Sequence, residues 1–96
     1  MNINSIKTFI EKTWDESAIP ALKDYISIPA VSPFFAPDWN STGFLMDTLK
    51  LAETWLKSIS LEHSKIRIIS PEGRTPVLLV EIEATGPENQ NATLLY

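Results

Sequence analysis

Cysteine is absent from the 96-residue chain, which excludes disulfides, thiolate metal ligands and a cysteine nucleophile, and points to a reducing compartment. Histidine occurs once, at His63, so an imidazole-rich metal shell cannot be assembled from these residues. Glycine occurs only at Gly43, Gly73 and Gly86, and no Gly-rich phosphate loop is present. Long apolar runs are missing as well. The longest, Val77 to Val80, is far below the ~18 residues of a membrane-spanning helix, and Met1 to Trp14 lacks the basic start and apolar centre of a secretory signal. Neither sign of charge dominates: 12 acidic and 8 basic side chains leave a net charge of −4, and the six Lys and two Arg form no stripe that would follow a phosphate backbone. The expectation is a cytoplasmic protein that engages neither nucleic acid nor membrane. Two glycosylation sequons, Asn40-Ser41-Thr42 and Asn91-Ala92-Thr93, are expected to go unused without an export signal.

What is present is ordinary globular material, 44% apolar and 9% aromatic, enough for one modest core and one domain or less. Ile3, Ile6, Phe9, Ile10 and Trp14 recur at spacings of three and four, which predicts a helix with Lys7, Glu11 and Lys12 outside. Asp15-Glu16-Ser17 should break or re-cap it, and Pro20, tolerated only in a first turn, favours a second short helix through Ala21, Leu22, Tyr25 and Ile26 over one long rod. That helix should end near Ile28, ahead of Pro29. Pro29, Pro33 and Pro37, among Val31, Phe34, Phe35 and Trp39, read as an ordered apolar loop. The strongest helix should start at Asn40, Ser41 or Thr42 and end near Ile59. Leu45, Leu49, Ala52, Leu56 and Ile59 form one of its stripes, and Phe44, Leu51 and Trp55 a second. The period then changes to two. Lys65 to Ile69 and Thr75 to Ala84 read as a hairpin closed by a type I turn at Ser70-Pro71-Glu72-Gly73, and Ala92 to Tyr96 as the start of a third strand after a polar loop, Thr85 to Asn91. The predicted fold class is α/β: helices followed by a short, mainly antiparallel sheet, in two layers.

Several of these segments resemble a known family. Tyr25-Ile26-Ser27-Ile28-Pro29-Ala30-Val31-Ser32-Pro33, the amphipathic helix to Ile59, Gly73-Arg74-Thr75-Pro76-Val77-Leu78-Leu79-Val80 and Thr93-Leu94-Leu95-Tyr96 are similar, in this order and approximate spacing, to the start of the carnosinase and aminoacylase family of two-zinc metallopeptidases. Ala30 stands where Ser is common, and the aromatic loop Phe34 to Trp39 looks more like the carnosinase-type dipeptidase branch. In that family the last of these strands runs into Gly-His-x-Asp. The resemblance implies that residues 1–96 are the amino-terminal part of a single catalytic domain, a partial zinc-peptidase domain cut before its metal-binding motif. It implies a zinc enzyme acting on dipeptides or short peptides, with metal ligands and general base beyond Tyr96.

The residues themselves offer little chemistry, and no catalytic, cofactor-binding or metal-ligating residue is assigned. His63, between Glu62 and Lys65 in a polar connection, reads as solvent-exposed. Glu81 and Glu83 fall on one strand face, a pair too sparse for a cation without a His or a third acid. Ser32 and Ser70 lack a Gly-x-Ser-x-Gly setting, and Arg74 beside the turn reads as a surface residue. The chain alone is expected to bind no zinc and to self-associate through an exposed strand edge or an apolar helix face. The alternative is a self-contained α+β interaction module whose aromatic loop Phe34 to Trp39 binds a protein partner.

Overall fold

Asn2 opens the chain's first helix by accepting the Asn4 amide on Oδ1 at 2.9 Å, and that helix, α1, spans Ile3–Thr13. The computed structural model describes residues 2–86 and 91–96. Contrary to the expected break, Asp15-Glu16-Ser17 does not stop the helix. Trp14–Ala18 forms a π turn in which the Ile19 amide reaches back to the Trp14 carbonyl, and α2 (Ile19–Ser27) follows with αR geometry at both junctions. Pro20 explains the widened turn. Its ring would collide with the carbonyl four residues back and it has no N–H to donate, so a π turn just before it supplies room without ending the rod. Ile3–Ser27 is therefore one continuous helical rod, roughly 37 Å long at the α rise. It stops as expected before Pro29, with Ile28 in extended geometry.

The loop after Ile28 is ordered by its own polar groups. The Phe34 amide donates to Ser32 Oγ at 3.3 Å and the Phe35 amide to the Ser32 carbonyl at 2.9 Å. The expected helix to Ile59 comes in two pieces: a single turn, α3 (Trp39–Thr42), then Gly43 at φ 73°, then α4 (Phe44–Ser58). A glycine, which takes a left-handed conformation without steric cost, stands at that junction between the two pieces.

The hairpin forms from β1 (Ser64–Ile69) and β2 (Val77–Ile82), antiparallel, with Ile66 opposite Val80 and Ile68 opposite Leu78. Strand β2 is shorter than the expected Thr75 to Ala84. Its turn also lies one residue later than read from the sequence, because the Arg74 amide donates to the Pro71 carbonyl at 3.2 Å, putting Gly73 (φ 73°) at the third position, where a type II turn needs a positive φ. Ala92 to Tyr96 forms no strand. Leu94 and Leu95 are 75% and 88% exposed, and an apolar pattern without a pairing neighbour makes no ladder. The expected loop Thr85 to Asn91 falls partly outside the described residues.

Helix α4 organises the rest. It touches α2 on one side and both strands on the other, which accounts for its two stripes. Leu51, Ala52 and Trp55 line the gap to α2, while Leu56 shares a recess with Ile66 of β1. The architecture is thus mixed, helices and a two-stranded antiparallel sheet, with α4 the helix that packs on the strands and α2 packed on α4. No apolar side chain among the described residues is fully buried, and Thr48, whose hydroxyl donates to the Leu45 carbonyl at 2.7 Å, is the one buried residue.

Candidate functional site

The polar residues singled out from the sequence do not converge. His63 is exposed at φ 56°, in the tight connection from α4 to β1, and its carbonyl accepts the Glu83 amide at 3.0 Å just past the paired strands. Glu81 is engaged by Arg67, whose Nη2 donates to Oε1 at 3.0 Å across the exposed face of the hairpin. Glu83 lies beyond the end of β2, so the two acids do not share a strand as expected. Ser32 works as a loop cap through its Oγ. No group of three or more His, Cys, Asp or Glu side chains comes together among the described residues. Asn40 of the first sequon is exposed within α3; Asn91 of the second is exposed in irregular chain.

Two of the recesses among the described residues lie at helix junctions and bear on function. One lies where α3 meets α4 and the hairpin turn folds over them. Ser70 and Arg74 line it with Trp39, Asn40, Met46 and Glu72, around a volume of about 190 Å³. Ser70 and Arg74 thus sit together in a mixed polar hollow at the hairpin turn, an arrangement that separate surface readings of the two did not anticipate.

The other recess is apolar throughout. Ala18, Ala21, Leu22 and Tyr25 of the rod face Leu51, Ala52 and Trp55 of α4 across a groove of about 310 Å³. Small residues at Ala18, Ala21 and Ala52 let the helices approach without filling the space between them, and the larger side chains form the walls. At one end the groove is closed by a hydrogen bond from Trp55 Nε1 to Ser17 Oγ at 3.0 Å, tying α4 to the π turn. Around the same walls Asp24 and Thr54 add a polar rim. The sequence carried a signal for this groove, alanines on two facing helix stripes, but the signal is the same as that of an ordinary helix contact. Chemically the groove can hold apolar matter and one positive charge at its rim; it has no nucleophile, acid or base aimed inward.

No helix among the described residues is long and apolar enough to cross a membrane. No protein-family model matches the chain, and no curated protein matches it significantly.

Proposed function

We propose that the chain is the amino-terminal scaffold segment of a zinc-dependent metallopeptidase that hydrolyses dipeptides or short peptides, and that it is inactive by itself. The observation supporting this reading is the amount of apolar surface awaiting cover. Ile3, Phe9, Phe34, Phe35, Ile82 and Leu95 are each more than 60% exposed, and no described apolar residue is fully buried. A domain of this composition ordinarily closes its own core, so apolar faces left open on the rod, the loop and the hairpin fit a segment that packs against more protein. The family resemblance over Tyr25 to Pro33 and Gly73 to Val80 names that larger domain.

The residues of this chain do not fit a zinc ion by themselves. One imidazole, turned to solvent, and a carboxylate already taken by Arg67 do not amount to the three protein ligands of a catalytic site. In this reading zinc belongs to the full-length enzyme, and residues 2–86 are scaffold that precedes its ligands. The coding sequence after Tyr96 tests it: Gly-His-x-Asp is expected, and a stop codon there would overturn it.

A second reading, a self-contained interaction module, is favoured by Phe34 and Phe35. Their rings stand edge to face at 5.2 Å and are 85% and 77% exposed. A stop codon after Tyr96 is the result it requires.

A further inference from the structure

We propose that two copies of this chain dock by exchanging α1, the apolar stripe of α1 in each copy lying in the α2–α4 groove of the other. Both surfaces are present in one chain. On α1, Ile3, Phe9 and Ile10 are 81%, 69% and 58% exposed, and α1 touches no other described element except the π turn that continues it. On α2 and α4, the groove lined by Ala18, Ala21, Leu22 and Trp55 is wholly apolar and open. Helix α1 cannot reach the groove of its own chain, because the backbone from Thr13 through Ile19 is helical and carries α1 straight away from α4. Only another copy can present the same stripe to it.

Shape agrees with an antiparallel pairing of the two rods. When the rods cross at Asp15, Phe9 of one copy comes opposite Ala21 of the second copy, a large side chain over a small one, which is how ridges enter grooves at close helix separations. In the same register Lys7, on the outer face of α1, comes opposite Lys23, with Asp24 the next residue along, so charge at the rim is mixed and the apolar faces carry the pairing. The exchange is reciprocal, so it closes on a two-fold axis and builds no filament.

Area agrees too. The chain exposes 8218 Å², whereas a compact monomer of 10.8 kDa exposes about 5,500 Å². A standard interface takes about 800 Å² from each partner, well inside that surplus. The proposal uses no residue beyond Ser58 and stands apart from the peptidase reading: a stop codon after Tyr96 would leave it intact, and a monomeric chain would leave that reading intact.

The natural absence of cysteine makes the test direct. Phe9→Cys and Ala21→Cys chains are prepared separately, mixed and oxidised, and light scattering follows the unmodified chain and Phe9→Lys across concentration. The expected result is a dimer whose dissociation constant rises at least roughly tenfold in Phe9→Lys. A disulfide should join Phe9→Cys to Ala21→Cys, but not Phe9→Cys to itself, those two positions being roughly 18 Å apart along the paired rods, beyond disulfide reach. Because Phe9 is already exposed, Phe9→Lys should keep the far-ultraviolet helical signal, which serves as the folding control. A chain that stays monomeric to about 100 μM, well above a micromolar constant, overturns the proposal. So does a dimer unaffected by Phe9→Lys, or one that cross-links at Phe9 alone.

Discussion

Gly43 sits between a single helical turn and α4 with φ 73°, and the space a methyl group would enter there is empty. Its role is thus purely one of backbone conformation. Gly43→Ala should destabilise the chain by about 1 kcal/mol, read from the urea midpoint at unchanged slope, with no rearrangement of neighbours. The bond from Trp55 Nε1 to Ser17 Oγ makes a different kind of contribution, because it joins residues far apart in the chain. In a double-mutant cycle of Ser17→Ala and Trp55→Phe the coupling should be about 1 kcal/mol, and a value near zero would mean the bond is made equally well to water. Neither of these two features was legible beforehand, whereas the turn at Gly73 was. Gly73 announced a turn by its neighbours Pro71 and Glu72, though the closing bond fell one residue later than read. Nothing in the neighbourhood of Ser17 or of Trp55 pointed to the bond between them, since a hydrogen bond across the fold leaves no local pattern.

At the scale of elements, α1 is the most exposed to failure. A helix of 11 residues is marginal in water, and α1 has a good cap at Asn2 and a loose Lys7–Glu11 pair but no tertiary partner among the described elements. In dilute solution the amides of Ile6 to Thr13 should exchange with solvent at close to peptide rates, while those of β1 and β2 are slower; uniform protection across both would contradict this. The helices could be read from the sequence because an apolar period of three and four survives whatever the helix packs on. The boundary at Asp15-Glu16-Ser17 could not. Acidic residues and a following Pro20 look like a stop and a restart, and a π turn absorbs the same proline without a stop. Ala92 to Tyr96 erred the other way: its pattern suits a strand, but a ladder also requires an adjacent edge, and sequence periodicity carries no information about that.

For the whole molecule the deciding quantity is how little surface folding removes. An unfolded chain of 10.8 kDa exposes about 15,700 Å², so reaching 8218 Å² buries just under half of it, against ~60% or more for compact domains. The Cα radius of gyration of 16.6 Å, against about 12.5 Å for a compact domain of this length, says the same. Since the urea slope scales with surface exposed on unfolding, the monomer's should be about three quarters of that of a compact protein of equal length. A slope at the compact value would mean that the rod folds back in solution. The groove was not legible at this scale, because composition predicts how much apolar matter a chain holds and not which of it stays open. One further consequence belongs to the π turn. It admits an extra residue into a single turn, so it delays the rotation of everything after it by about 100°. From Ile6 to Ala18, from Phe9 to Ala21 and from Ile10 to Leu22 an unbroken α-helix would rotate by about 120°, placing the first of each pair away from the second's side; with the delay the mismatch falls to ~20°. The π turn therefore acts as a clutch between two apolar faces. Pro20→Ala, which removes the cause of the widened turn and keeps every residue, should let the rod relax to a plain α-helix with its helical content kept, and should swing Phe9 and Ile10 off the side that carries Ala21 and Leu22.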